Sequence, residues 1–173
     1  MRRLVVLALA VCTCFAASPS FAAGGKPIQL ALFAPAQLVP EGESVSGLRL
    51  NVIYGVNQDV QGLDLGLINH VRGTGFSWQW GGVGFVEGNF TGFQDNVINI
   101  TKGEFTGLQL GTVNNAGDAN GVMFGFVNVA KHVHGLQLGI VNVTETLDGL
   151  QIGVGNVIQK NKVPFLPIVN WSM

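Results

Sequence analysis

Apolar and polar positions alternate along most of this chain, and the alternation restarts at a nearly constant interval. In Gly135-Leu136-Gln137-Leu138-Gly139-Ile140-Val141-Asn142 the apolar residues fall at the second, fourth and sixth places, with glutamine at the third. A period of two predicts β-strand. The same pattern, Gly-Leu-x-Leu-Gly-x-Val-Asn, opens at Gly47, Gly62, Ser77, Gly92, Gly107, Gly121, Gly135, Gly149 and Val163, which makes nine units. The first four intervals are fifteen residues long and the next four fourteen. Self-similarity sustained over this length dictates architecture and is weighed before local propensity.

Counting the opening residue as position one, the pattern predicts a strand that buries positions two, four and six and turns position three to water. Leu108, Leu110, Leu136, Leu138, Leu150 and Ile152 are then core residues, and Trp78 and Trp80 fill the same sites in the Ser77 unit. Gln79, Gln94, Gln109, Gln137 and Gln151 would form a flat exposed face, the candidate binding surface. Apolar position seven breaks the alternation just before Asn, where a bend is expected. A shorter second strand follows, marked by Val60, Phe90, Phe105, Val133 and Leu147. Three of the four fifteen-residue units carry an extra Gly at position twelve (Gly73, Gly88, Gly103), which places the length difference at one corner.

Two strands and two corners in about fourteen residues describe one coil of a β-solenoid. A single coil cannot bury its own apolar face, so coils must stack. The fold class expected is all-β, a β-solenoid of about nine 14–15-residue coils with Pro-containing end caps. Stacking would align Asn69, Asn99, Asn114, Asn128, Asn142, Asn156 and Asn170 into a structural column. The alternative is an outer-membrane antiparallel β-barrel with one strand per unit, consistent with low charge, abundant Gly and the C-terminal residues Phe165, Val169, Trp171 and Met173. Against it stand the short connections and the lack of long loops on alternate turns.

Composition narrows the setting. Met1-Arg2-Arg3 followed by an apolar run over 4–17 and Ser20-Phe21-Ala22 reads as a secretory signal peptide over 1–22. A cap segment over 23–46 with Pro27, Pro35 and Pro40 precedes the repeat domain at 47–173. Both cysteines, Cys12 and Cys14, lie in the leader, so the mature chain has no disulfide. A lipobox reading of Leu9-Ala10-Val11-Cys12 is weak, since Val11 is a poor residue before a modified Cys. Charged residues make up 11% of the chain, against roughly 25% in an average domain. With net charge −1 there is no basic footprint for nucleic acid.

The units Gly62-Leu63-Asp64-Leu65-Gly66-Leu67-Ile68-Asn69, Gly107 to Asn114 and Gly135 to Asn142, with the ending Pro164-Phe165-Leu166-Pro167-Ile168-Val169-Asn170-Trp171, resemble the uncharacterised bacterial surface-repeat family first named from a leptospiral protein. The resemblance covers nearly the whole mature chain and implies an exported cell-envelope protein in the periplasm, outer membrane or cell surface. It carries over no activity and no binding residues. Ser77 and Asp95-Asn96 depart from the pattern.

Candidate chemistry is sparse. His132 and His134 share a strand face but lack the third ligand a zinc site needs. His70 stands alone. Asp64 and Asp95 sit at positions of opposite facing, which argues against an acid/base pair. Gly81-Gly82-Val83-Gly84 precedes no helix and no Lys-Ser/Thr, so it is repeat and not phosphate loop. The Asn-x-Thr triplets at Asn89, Asn99 and Asn142 come from the repeat itself. No catalytic, metal or cofactor site is expected, and the chain is read as a non-enzymatic envelope protein with a structural or adhesion-like role toward a protein or glycan partner. The alternative function, tied to the barrel, is an outer-membrane pore or anchor.

Overall fold

The computed structural model of the chain describes residues 24–172; the expected signal peptide over 1–22 lies outside them. Eight strands form one sheet in the order β2-β1-β3-β4-β5-β6-β7-β8. They are β1 (Lys26–Phe33), β2 (Ala36–Gln37), β3 (Val45–Asn57), β4 (Val60–Val71), β5 (Gly75–Val86), β6 (Phe90–Leu138), β7 (Val141–Ile158) and β8 (Phe165–Ser172). The 49 residues of β6 wrap through successive coils without a break in strand geometry. Neighbours from β3 to β7 pair in parallel, with equivalent residues opposite one another, as in Leu63↔Trp78, Asp64↔Gln79 and Leu65↔Trp80. Parallel in-register pairing of repeats makes a β-solenoid of about eight turns, not a barrel, whose neighbouring strands would run antiparallel.

The two ends depart from the repeat. At the front, β1 runs parallel to β3 with Gln29 opposite Arg49, so the cap segment supplies part of a further coil. Its Ile28-Gln29-Leu30 carries the Leu-Gln-Leu signature with Pro27 in place of Gly. At the back, the ninth unit does not stack as a coil. Pro164 and Pro167 accompany a reversal, and β8 returns antiparallel to β7 with Gln151↔Asn170 and Leu150↔Trp171 opposed. Asn170 therefore lies opposite a glutamine and outside the Asn column, a correction to the expected alignment.

The expected facing is reversed as well. Gln79, Gln94, Gln109, Gln137 and Gln151 are all fully buried, whereas Trp78, Trp80, Phe124 and Phe126 are each more than half exposed. Parity explains why. The alternation that turns Val133 inward passes through Gly135 and brings Gln137 inward too, leaving His134, Leu136 and Leu138 on the outside. Burying the leucines would carry His134, Asp148 and Glu104 inside with them, at the cost of stripping water from ionisable groups. The interior therefore holds Gln or its substitute at position three, Asn at eight, and apolar columns. One apolar column runs Val60, Gly75, Phe90, Phe105, and the bare Gly75 makes room for the Phe90 ring, which would lie 2.5 Å from a Cβ there. Phe90 and Phe105 stack with centroids 6.1 Å apart.

The asparagine column ties coil to coil. Asn114 Nδ2 donates to Asn128 Oδ1 at 2.8 Å and to the Phe124 carbonyl at 3.0 Å. Asn128 does the same toward Asn142 and Leu138, and Asn142 toward Asn156 and Ile152. Both amide protons are thus spent on the next coil. Glycine at position five follows from this packing: a Cβ on Gly125 would lie 2.2 Å from the Gly111 carbonyl oxygen and 2.6 Å from Asn114 Nδ2. Two coils hold Gly opposite the Asn column, namely Gly84 at position eight and Gly55, one place later in its unit and brought opposite Asn69 by a shift in register. In each case an asparagine at position five fills the gap: Asn51 donates to Asn69 at 2.8 Å, and Asn96 to Asn99 at 2.7 Å.

Two stability outcomes follow. Gln137→Lys places an ammonium in the interior and is expected to cost about 3 kcal/mol or more, whereas Leu138→Lys on the outside stays within roughly 0.5 kcal/mol; equal denaturation midpoints would contradict the facing. Asn142→Val strands the amide of Asn128 and the acceptors on Asn156 and Ile152, at roughly 1–3 kcal/mol for each buried group left unpaired. Asn170, whose amide reaches two carbonyls only at 3.4 Å, is expected to tolerate Val far better under the same urea titration.

Candidate functional site

The position-three column is a second amide ladder, and it has a direction. Gln151 Nε2 donates to Gln137 Oε1 at 2.7 Å, Gln109 to Gln94 at 2.7 Å, Gln94 to Gln79 at 3.0 Å, and Gln79 to Asp64 Oδ2 at 2.8 Å. Along the ladder each bond between neighbouring coils is donated toward the N-terminal side, and Gln151 spends its second proton on the Val157 carbonyl at 3.2 Å. A ladder of this polarity ends well on a group that only accepts, and Asp64 is that group. Its charge is matched by Arg49, which grips both carboxylate oxygens at 2.7 Å and donates to the His70 carbonyl at 2.8 Å. Arg49 and Asp64 are both fully buried. Burying two ions is costly, and bidentate geometry with further hydrogen bonds is what offsets that cost. Asp64 is therefore a structural terminus, and Asp95, part-exposed on the outside, faces away from it.

The ladder is interrupted once. Met123 takes the position-three site between Gln109 and Gln137, so Gln137 Nε2 reaches only a thioether at 3.6 Å and Gln109 Oε1 has no partner. These glutamines are internal fasteners. The exposed Gln surface expected from the sequence does not exist.

The exterior has three faces: the alternation is broken at positions six–seven and eleven–twelve, and the chain turns a third corner at the opening residue, where the alternation is kept. The opening glycines from Gly92 to Gly149 have φ between 131° and 145°, and a Cβ on Gly107 would lie 2.0 Å from the carbonyl of Gly92. The leucine face carries positions two and four, including Trp78, which stacks on Phe93 at 5.9 Å. The valine face carries positions seven and nine, such as Val129, Val143 and Ile100. Between them runs a ridge of position-six side chains, Val52, Leu67, Val97, Phe126, Ile140 and Val154, all strongly exposed. Flanking the ridge, the position-five glycines leave an axial groove, with about 730 Å³ beside Trp80, Leu110 and Phe126 and about 430 Å³ beside Leu50 and Leu67.

The third face is polar, with Glu104, Thr106, Asp118, His132, His134 and Asp148. His132 Nδ1 lies 2.7 Å from Thr146 Oγ1 and His134 Nδ1 lies 3.2 Å from Asp148 Oδ2, both across to the next coil and exposed. Among the described residues no group of three His, Cys, Asp or Glu side chains is arranged to hold a metal.

One polar chain was not apparent from the sequence. The Tyr54 hydroxyl meets His70 Nδ1 at 2.8 Å, and His70 Nε2 meets Glu87 Oε1 at 2.7 Å. The three residues lie on different coils, so only the stacking register brings them together. The His70 hydrogen bond holds the Glu87 carboxyl below its usual range, and Lys102 adds to this. Burial, with the Glu41 charge, pushes the Tyr54 hydroxyl above its ordinary value of 10.0. A raised pKa keeps the Tyr54 phenol protonated and able to donate, and the chain links three coils. Lys160 likewise holds Glu145 below the usual carboxylate range through a hydrogen bond between adjacent coils.

The break in the glutamine ladder can be repaired. Met123→Gln supplies an amide to Gln109 Oε1 and an acceptor to Gln137 Nε2, and is expected to raise unfolding stability by about 1–2 kcal/mol; a lower melting temperature than the parent chain would argue against a directional ladder. The interior amides and the apolar exterior have to be interpreted from this chain's own geometry, since no family model, curated protein or solved structure matches it.

Proposed function

We propose that this chain is an exported bacterial envelope protein that acts as a non-catalytic scaffold, presenting its apolar exterior to a partner. The inside-out distribution of side chains carries this reading. Amides and the buried Arg49–Asp64 pair are consumed in holding coils together, while aromatic and aliphatic side chains face outward in rows along the coils. Contiguous exposed apolar patches of this kind mark interaction surfaces in soluble proteins. The leader sequence, with its basic start, apolar run and small-x-small site before Ala23, supports export. The resemblance to bacterial surface repeats agrees with it. The partner surface is the leucine and valine faces in place of the glutamines.

Fractionation of bacteria expressing the whole chain, with mass spectrometry of its N-terminus, tests the reading. A mature species beginning at Ala23 outside the cytoplasm is expected; an intact Met1 in the cytoplasm, or a lipidated Cys12, counts against it.

A further inference from the structure

We infer that the apolar exterior docks on a lipid bilayer, with the ridge between the leucine and valine faces sunk among the acyl chains and the polar face left in water. The inference rests on the reading of the exterior as the working surface and names its partner.

Extent comes first. With strands about 4.8 Å apart and about 3.3 Å per residue, eight coils give each apolar face roughly 600 Å². Two such faces and the ridge exceed the roughly 300–600 Å² of the largest patch on an ordinary monomer. A second copy packed flat would cover one face, at or below the roughly 800 Å² per partner of a standard interface, and would leave the other wet. A bilayer is one continuous apolar medium that covers both faces and the ridge together.

Charge placement is compatible with this. In the repeats Asp95 is the one carboxylate on the leucine face, while position eleven, on the edge where the valine face meets the polar face, carries charges of both signs, Arg72, Lys102 and Lys131 with Glu87 and Glu145. Lys102 Nζ lies 4.9 Å above the Phe85 ring and 3.9 Å from Glu87 Oε2. Charged groups along that edge meet the charged headgroups of lipids and stay out of the acyl chains. The tryptophans point the same way. All three, Trp78, Trp80 and Trp171, lie outward on the leucine face, each more than half exposed, and indole rings favour the boundary between headgroups and acyl chains. The arrangement does with a solenoid what an interfacial amphipathic helix does with one apolar stripe.

The mature chain mixed with phosphatidylethanolamine–phosphatidylglycerol vesicles, and separately with phosphatidylcholine vesicles, supplies the test. Co-flotation with both is expected, with a blue shift of tryptophan emission and quenching by lipids brominated on the acyl chain. Removing apolar ridge area through Phe126→Ser with Ile140→Ser is expected to weaken vesicle binding at least tenfold, while Asn120→Ser with His132→Ser on the polar face leaves it unchanged. Melting temperatures of both double variants within error of the parent exclude unfolding as the cause, and Val154→Ser with Leu67→Ser, placed elsewhere on the ridge, provides a second variant. Failure to float, with sedimentation as a stable dimer, overturns the inference and makes a second copy the occupant. Flotation insensitive to every ridge variant overturns it as well. Export without vesicle binding removes the lipid inference alone and leaves the exported scaffold standing, whereas vesicle binding by a chain retained in the cytoplasm sinks the export reading instead.

Discussion

The amide group of asparagine, donating twice to the coil above it, is the constraint from which the rest of this structure follows. A side chain of that length reaches both the next amide and a backbone carbonyl only if equivalent residues stand one strand spacing apart, about 4.8 Å. The column therefore forces parallel, in-register stacking and leaves position five no space for a side chain where the preceding coil holds asparagine at position eight. The length variation between fifteen- and fourteen-residue units falls at the corner near position twelve, where Gly73, Gly88 and Gly103 bond in series, Gly88 N–H to the Gly73 carbonyl and Gly103 N–H to that of Gly88. A residue can leave that corner without moving the asparagine.

The glutamine column adds a vector to this scheme. Because each amide donates in one direction, the stack needs a pure acceptor at one end, and Asp64 with its buried Arg49 supplies it. At the other end Gln151 Oε1 is left without a partner beside the returning β8 strand, the terminus of a ladder that has run out of coils. Buried polar networks are valuable when fully satisfied and costly where they are not. Within the glutamine column the acceptors left open are Gln109 Oε1 at the Met123 gap and Gln151 Oε1 at the end, and beside it Asn51 Oδ1 and Asn96 Oδ1 are open too.

Much of the architecture was legible in the residues. The repeat interval, the period-two strands, the asparagine alignment and the corner glycines together indicate a solenoid, because each reflects a local rule that stacking reinforces. Facing was misread because alternation separates two sides without saying which is inside, and the apolar side was assumed to be the core. The deciding signal was present in Val133-His134-Gly135-Leu136-Gln137. Following the alternation through Gly135 puts Gln137 with Val133, and Leu136 with His134. The ends were harder. Nothing local in Phe165-Leu166-Pro167-Ile168 distinguishes a ninth coil from a strand that turns back, since that choice depends on which edge is left open. The Tyr54–His70–Glu87 chain was equally out of reach, being a product of register across three coils.

The two exchanges of asparagine between positions five and eight have a consequence for how such a chain can change over generations. Gly55 and Gly84 would each be lesions alone, yet Asn51 and Asn96 return an amide to the same space from another backbone position. What this interior requires is therefore the presence of a donor at a point in space, and not the identity of any single site. A whole unit can be added or removed as long as each turn still meets a donor at that point, so the length of such a chain is adjustable one coil at a time.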